Sequence, residues 1–324
     1  MEFVTIADLN NDVINNLYKI PRDVDLIVGI PRSGLFVASI IALYLNKPLT
    51  DIDSFVENKI YNVGNTKNNN SNIKEANEAK KILVVDDSLN SGLSMEQARL
   101  KLKKFEENKK ILYLAGYIKS AKKNSIDIFF RVINDNRLFE WNYMHHTMLE
   151  EVCCDIDGVL CENPSDEEND DGEKYINFIL NAKPKLVPTR GIGCLVTSRL
   201  EKYRKETEIW LKNNHIIYNK LVMMGNITSE ERKKLGNHGK FKANFYKTSR
   251  YKLFIESDVK QALEISNLTQ KYVFCIDNQK FYRANSIYHM QEYVKYISKN
   301  RIKYILKKIL PKFLIEAYKK DSLF

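Results

Sequence analysis

The chain has 324 residues, of which 44% are hydrophobic, and its formal net charge is +10. This length predicts about two domains, each able to bury its own core. The chain has no apolar run near the roughly 18 residues of a membrane span, and five scattered cysteines favour a reducing cytoplasm over a disulfide-rich fold. The charge suits phosphorylated or other anionic partners, but no zinc spacing or RNP-type motif indicates nucleic acid.

Short aliphatic segments alternate with helical segments in the first half of the chain. An amphipathic helix over 6–19 comes first, and residues 57–80 are polar and Asn-rich, which predicts a loop or flap. The apolar segments predict buried parallel strands with helices between them. The strands are 25–30, 48–53, 81–87, 111–118 and 126–133, and the helices are 35–46 and 95–108.

The same pattern starts again near residue 149. Apolar segments of strand length lie at 152–157, 194–198, 221–224, 252–257 and 273–277. Strands that alternate with helices predict parallel α/β sheets. The predicted fold class is therefore α/β, with two Rossmann-like parallel-sheet domains at 1–148 and 149–290 and a basic amphipathic tail at 291–324.

Two neighbouring carboxylates, Asp86 and Asp87, end the predicted strand in ILVVDDSLNSGLS. The following loop opens a helix, so its N–H groups and the helix dipole can hold a phosphate. Carboxylates accept hydrogen bonds from vicinal hydroxyls, so the turn fits a ribose 5-phosphate; G-x-G-x-x-G and P-loop motifs are absent. The predicted phosphate-binding residues are Ser88, Leu89, Asn90, Ser91, Gly92, Leu93 and Ser94.

A second loop, GIPRSGL, ends the strand at 25–30. Its Arg32, Ser33 and Gly34 are typical of an anion-holding turn suited to pyrophosphate, although such a turn can also be only a tight connection. Together the two loops resemble the type I phosphoribosyltransferases over about residues 20–148. The segment 57–80 lies where that family has its flap, and RLFEWN resembles the hood segment of purine-specific members, with Glu140 in place of proline.

That resemblance implies binding of phosphoribosyl pyrophosphate (PRPP) with Mg²⁺. Asp86 and Asp87 would bind the ribose hydroxyls, residues 88–94 the 5-phosphate, and Arg32 with its neighbours the pyrophosphate. The implied reaction displaces pyrophosphate from C1 of the ribose. The resemblance also implies that the protein can form a homodimer.

A second acidic motif, VCCDIDGVL, places Asp155 and Asp157 at the end of an apolar segment. Two such acids can hold Mg²⁺ and leave one free as a nucleophile or acid, although acidic strand ends are also common without function. The later candidates are Thr197 in LVTSR, Lys242 or Lys247, and Glu256 and Asp258 in LFIESD.

This order of residues resembles the haloacid dehalogenase superfamily of phosphatases over about residues 150–290. The resemblance implies Asp155 as the nucleophile and Asp157 as the general acid/base. Thr197 and Lys242 would contact the phosphoryl group, with Lys247 as the alternative lysine. The implied Mg²⁺ ligands are Asp155 and Asp157 with Glu256 or Asp258, and the sequence leaves the choice between the last two open. About 35 residues separate Asp157 from the Thr197 segment, which predicts little or no cap; the acidic segment 161–173 is either a small flap or a solvated loop.

The C-terminal segment 299–320 has Ile and Leu at helical spacing with Lys on the other face. A basic amphipathic helix of this kind can lie on an anionic inner-membrane surface or dock on protein.

Both sites on one chain suggest two consecutive reactions. The first hypothesis is transfer of 5-phosphoribosyl from PRPP to a glycan or lipid-linked glycan, followed by removal of the 5-phosphate, as in bacterial polysaccharide assembly. The alternatives are a base-directed transferase with a nucleotidase-like domain, in which Trp141 or Phe139 stacks on a base, and a PRPP-sensing regulator.

Overall fold

The computed structural model describes residues 2–61, 73–134, 137–225 and 238–283. The chain forms two compact units, Met1–Trp141 and Asn142–Phe324. The centre of the predicted flap at 57–80, the tail at 291–324 and the proposed membrane contact at 299–320 lie outside the described residues. In the described part, no helix is long and apolar enough to cross a bilayer.

Unit 1 is an α/β unit with two parallel sheets. Its strands are β1 (Glu2–Val4), β2 (Leu26–Gly29), β3 (Leu49–Asp51), β4 (Lys81–Leu89), β5 (Lys110–Ile118), β6 (Ile128–Val132) and β7 (Arg137–Phe139), and its helices are α1 (Ile6–Asn16), α2 (Ser33–Leu45), α3 (Ile52–Val56) and α4 (Leu93–Leu102). The main sheet has the order β3-β2-β4-β5-β6, and β1 pairs with β7 in a small separate sheet.

Both faces of the main sheet are covered. On β4, Leu83 and Val85 pack into a cluster with residues of α1 and α2, whereas Ile82 and Val84 pack into a second cluster with residues of α3 and α4. Alternate residues of a strand point to opposite faces, and burial on both faces explains the continuous aliphatic sequence. Asp86 and Asp87 therefore lie near the carboxyl end of a central strand that the core holds in place.

The structure corrects the extent of the predicted phosphate loop. Strand β4 continues to Leu89 because Ser88 pairs with Tyr117 and Leu89 with Ile118 on β5. Only residues 90–92 connect β4 to α4, and α4 begins at Leu93. The strands β1 and β7 were also missed, since three-residue strands carry no readable alternation of polar and apolar residues.

Unit 2 contains a second α/β sheet, as the sequence predicts. Its strands are β8 (Val152–Cys154), β9 (Cys194–Leu200), β10 (Leu221–Met224), β11 (Leu253–Glu256), β12 (Tyr272–Cys275) and β13 (Lys280–Tyr282), and its described helices are α5 (Glu173–Asn181), α6 (Arg204–Asn213), α7 (His238–Thr248) and α8 (Val259–Thr269). The order is β10-β9-β8-β11-β12-β13, and only β13 is antiparallel to its neighbour. All five cysteines are buried and free.

Candidate functional site

The first candidate site is the acidic pair at the carboxyl end of β4. Asp86 and Asp87 are 7% and 5% exposed, and the Asp87 backbone N–H donates to Oδ1 of Asp86 at 2.9 Å. Burial, together with the charge of Asp87, raises the pKa of Asp86 to about 7. Adjacent buried carboxylates are costly unless donors reach them, so the pair is a candidate for binding hydroxyl groups.

The loop that carries Arg32 lies against this pair. A Cβ at Gly34 would lie 2.7 Å from the Val85 carbonyl oxygen and 3.0 Å from Asp86 Oδ1, so the loop approaches β4 this closely only because residue 34 is glycine. The Ile30 N–H donates to the same Val85 carbonyl at 2.9 Å. Two loops that were separate in sequence therefore meet at one edge of the sheet, as expected for ligand sites of parallel sheets.

Helix α4 begins at the other end of the predicted phosphate-binding segment. Gly92 precedes the helix with φ of 93° and makes no side-chain cap. The Leu93 N–H donates to Ser91 Oγ at 3.4 Å, and the other N–H groups of a first helical turn can bind an anion. The ammonium of Lys122 donates to the Ser91 carbonyl at 3.1 Å. Sequence reasoning missed Lys122 because it follows β5, about thirty residues from the motif that it touches.

The remaining predicted PRPP-binding residues differ in exposure. Leu89 is buried, Ser33 and Ser88 are half-buried, and the exposed members are Arg32, Asn90, Ser91, Leu93 and Ser94. The exposed group forms the rim on which a charged ligand can bind, whereas Leu89 anchors the segment to the core. Their roles in PRPP binding stay predictions.

The RLFEWN segment joins the N-terminus to the acidic pair. Glu140, which replaces the proline of the hood motif, accepts a hydrogen bond from the Ile6 N–H at 2.6 Å, where α1 begins. Trp141 donates its indole N–H to Asp87 Oδ2 at 2.9 Å. Phe139 is 5% exposed and stacks on Trp141 with ring centroids 4.7 Å apart. Phe139 is thus too buried to stack on a base, and Trp141 contacts the acidic pair.

The second candidate site lies at the carboxyl edge of the unit 2 sheet. Strand β8 lies between β9 and β11, so residues that end these strands converge. Lys242 Nζ donates to Asp155 Oδ2 at 2.6 Å and to Glu256 Oε2 at 2.7 Å, and also to Gln261 Oε1 at 2.8 Å. Burial opposes the ammonium, but the two carboxylates raise its pKa. Lys242 is 1% exposed, whereas Lys247 lies on the surface of α7.

Asp157 forms a separate ion pair. Strand β8 ends at Cys154, so Asp155 and Asp157 do not project from one regular strand face. The guanidinium of Arg199, which is fully buried, donates from Nη2 to Asp157 Oδ1 at 2.6 Å and from Nε to Oδ2 at 3.1 Å. Sequence reasoning missed Arg199, although it directly follows the LVTS segment. The pair fixes the orientation of Asp157.

Ser198, and not Thr197, is the hydroxyl residue of β9 that lines the cleft. Strand β9 continues to Leu200, so Thr197 lies inside the strand and is fully buried. Its Oγ1 accepts a hydrogen bond from the Arg199 N–H at 3.2 Å. Ser198 lines the cleft beside Asp155. A phosphoryl contact from Thr197 stays a prediction, and Ser198 is the neighbouring alternative.

These residues surround a cleft of about 350 Å³. Part of its wall comes from the segment 161–173, whose role the sequence left open; this wall includes Asn163, Pro164 and Asn169. The acidic and basic side chains that line the cleft are Asp155, Asp157, Asp258, Asp277, His238 and Lys242. Sequence reasoning missed Asp277, which follows β12 next to β11 at the same sheet edge.

The carboxylates differ in their freedom to bind a metal ion. Glu256 Oε1 accepts hydrogen bonds from the N–H groups of Ser257 and Asp258 at 3.0 and 3.2 Å, and its Oε2 is bound to Lys242. In the described ranges, no three His, Cys, Asp or Glu side chains are arranged to hold a metal ion. Mg²⁺, however, usually takes only one or two carboxylates together with water and substrate phosphate. One or two of the cleft carboxylates Asp155, Asp258 and Asp277 would be enough for that kind of set.

Comparisons with known proteins agree with the unit 1 geometry. Residues 3–146 match the family model of the phosphoribosyl transferase domain. None of the curated proteins compared with the chain matches it. Unit 1 is thus a phosphoribosyltransferase-type α/β unit.

Solved structures similar to the chain include three phosphoribosyltransferases. The xanthine-guanine-hypoxanthine phosphoribosyltransferase of Helicobacter pylori is 21% identical, over 43% of this chain and 90% of its own, with a TM-score of 0.33. The purine phosphoribosyltransferase of Pyrococcus horikoshii is 20% identical, over 44% and 95%, with a TM-score of 0.32. The orotate phosphoribosyltransferase of Aeropyrum pernix is 14% identical, over 39% and 69%, with a TM-score of 0.28.

Proposed function

We propose that the chain is a bifunctional enzyme. Unit 1 transfers 5-phosphoribosyl from PRPP to a glycan acceptor with release of pyrophosphate, and unit 2 hydrolyses the 5-phosphate from the product. The observation that carries the first activity is the buried pair Asp86 and Asp87, packed against the Gly34 loop within the part of the chain that matches the transferase family model. The second rests on Lys242, which joins Asp155 to Glu256.

In the transfer step, an acceptor hydroxyl oxygen bonds to C1 of the ribose as the bond from C1 to pyrophosphate breaks. The hydroxyl proton passes to solvent or to a basic group. Asp86 and Asp87 hold the ribose hydroxyls, and the N-terminus of α4 with Lys122 holds the 5-phosphate. Arg32 lies at the exposed end of its loop, where a bound pyrophosphate would be neutralised as it leaves.

In the hydrolysis step, Asp155 attacks the phosphorus of the 5-phosphate, and the bond from phosphorus to the ribose oxygen breaks. Asp157, once Arg199 releases one of its carboxylate oxygens, gives that oxygen a proton and then removes one from the water that hydrolyses the aspartyl-phosphate. Lys242 holds Asp155 in a fixed orientation at 2.6 Å and supplies positive charge for the transferred group. The products are a phosphate-free ribofuranose and inorganic phosphate.

Mg²⁺ is part of this proposal for both units. In unit 2, one or two of Asp155, Asp258 and Asp277 would hold the ion together with water and the substrate phosphate. Glu256 stays a proposed ligand, although Lys242 and backbone N–H groups engage its carboxylate. When bound, the ion neutralises phosphoryl oxygens. Asp157 stays a proposed ligand through its backbone oxygen, because Arg199 engages its carboxylate.

The glycan acceptor follows from the pairing of the two reactions. Removal of the 5-phosphate would undo the purpose of nucleotide salvage, because the phosphate keeps a nucleotide charged and usable. A ribofuranose that is attached to a glycan does not need its 5-phosphate. The cleft of unit 2 is lined by the amide side chains of Asn163, Asn169 and Gln261, which are suited to hydrogen bonding with sugar hydroxyls.

The test is a panel of acceptors incubated with PRPP and Mg²⁺, with pyrophosphate and phosphate measured in each reaction. A ribose-accepting glycan should release both products. Turnover with purine or orotate, and none with glycans, would replace this proposal with the base-directed transferase. PRPP binding without turnover on any acceptor would favour the sensor.

A further inference from the structure

One carboxylate of the acidic pair receives a hydrogen bond from outside the main sheet. Trp141 follows β7, which pairs only with β1 among the described strands, and its indole N–H donates to Asp87 Oδ2 at 2.9 Å. The two residues are 54 positions apart in the chain. The contact is therefore a product of the tertiary fold, and no local turn accounts for it.

The Trp141 ring is held in place by other aromatic rings. It stacks on Phe139 with centroids 4.7 Å apart and planes 16° apart, and it lies 6.1 Å from Phe36 and 6.5 Å from Tyr117. Aromatic contacts of this kind fix a ring in one orientation. Because the indole nitrogen can only donate, a fixed ring holds Asp87 Oδ2 as an acceptor.

Arg137, the first residue of β7, adds positive charge near Asp87. Its Nη1 and Nη2 are buried and have no hydrogen-bond partner among the residues that the structure describes. Burial lowers the pKa of its guanidinium, and the attraction to Asp87 opposes that change. The buried guanidinium of Arg137 therefore attracts the Asp87 carboxylate. The indole of Trp141 engages Oδ2, which fixes one oxygen of the Asp87 carboxylate.

We propose that Trp141 and Arg137 are positioning residues that hold the Asp87 carboxylate in the orientation that accepts a ribose hydroxyl of PRPP. This inference rests on the proposed transferase function and goes beyond it, since it assigns Trp141 to the donor sugar. In the alternative, base-stacking role, Trp141 would contact the acceptor. The two roles predict different effects of one substitution.

The test is Trp141→Phe, which removes the N–H and keeps an aromatic ring. PRPP binding with Mg²⁺, measured by calorimetry without acceptor, should weaken about 10-fold, since a hydrogen bond to a charged group is lost. In turnover assays the KM for PRPP should rise with every acceptor, while the acceptor KM stays within about 2-fold. Tyr117→Phe is the matched control: it removes a hydroxyl that donates to Asp12 at 2.9 Å in the same aromatic group, and its PRPP affinity should equal that of the wild type.

Arg137 provides an independent variant should Trp141→Phe fold poorly. Arg137→Met should weaken PRPP binding at least 5-fold, whereas Arg137→Lys, which keeps the charge, should restore most of it. Wild-type affinity in Trp141→Phe, or an equal loss in Tyr117→Phe, would overturn the inference. Failure of the wild-type protein to bind PRPP would instead refute the proposed function on which it rests.

Discussion

Replacement of Asp86 by Asn should stabilise unit 1 at alkaline pH. The pKa of Asp86 rises from its ordinary 3.8 to about 7 through burial and the charge of Asp87. This difference of about 3 pKa units corresponds to about 4 kcal/mol at about 1.36 kcal/mol per unit. Part of this pKa shift comes from the charge of Asp87, and Asn changes the local hydrogen bonds. We therefore expect a smaller gain, of about 2 kcal/mol or more, in the free energy of unfolding at pH 8.

The gain should depend on pH in a defined direction. Between pH 3.8 and about 7 the folded state keeps a proton on Asp86 that the unfolded chain has lost. Folding stability from this group is therefore fully present below pH 3.8 and disappears as the pH rises through about 7. The advantage of Asp86→Asn should be small at pH 4, intermediate at pH 5 and largest at pH 8.

Urea unfolding followed by tryptophan fluorescence can measure this effect. The chain has two tryptophans, so a Trp210→Phe background leaves Trp141 as the reporter of unit 1 alone, as required when two units unfold separately. Asp53→Asn, at an exposed position of the same unit, is the control and should show no such gain. Equal stability of Asp86→Asn and wild type at pH 8, or a gain that does not change between pH 4 and pH 8, would refute the reasoning.

Three further predictions concern the two sites. Lys122→Ala should raise the KM for PRPP about 10-fold through loss of a phosphate-binding cation, whereas Lys123→Ala, in the same turn, should not; equal effects would contradict a specific role. Gly34→Ala should abolish PRPP binding in calorimetry, because its Cβ would lie 2.7 Å from the Val85 carbonyl oxygen. Lys242→Met should reduce phosphate release at least 100-fold, while Lys247→Ala leaves it unchanged, as steady-state phosphate assays can show; comparable losses would refute the choice of lysine.

The sequence predicted the parts of the fold that periodicity and burial determine. Strand β4 was readable because burial on both faces requires continuous aliphatic residues, and Asp86 directly follows its aliphatic run. The alternation of strands with helices likewise predicted both sheets. The antiparallel β13 and the pairing of β1 with β7 were not predictable, because short edge strands carry little hydrophobic pattern.

Residues that act through tertiary contacts could not be found from the sequence. Arg199 and Lys122 looked like ordinary surface charges, and only the fold brings them to Asp157 and Ser91. Trp141 was singled out, but as a residue that stacks on a base, whereas its indole N–H is bound to Asp87. Spacing in a motif does not determine the direction in which a side chain donates, so such contacts need a three-dimensional structure.

The central claim, that one chain both transfers phosphoribosyl and removes its phosphate, is tested most directly with Asp155→Asn. The variant is incubated with PRPP, Mg²⁺ and a ribose-accepting glycan, and phosphorus NMR follows pyrophosphate, phosphate and the glycan phosphomonoester. We predict pyrophosphate release at the wild-type rate, no inorganic phosphate, and accumulation of a 5-phosphoribosyl glycan that wild-type protein then dephosphorylates. Continued phosphate release by Asp155→Asn, or no pyrophosphate release by either protein, would contradict the claim.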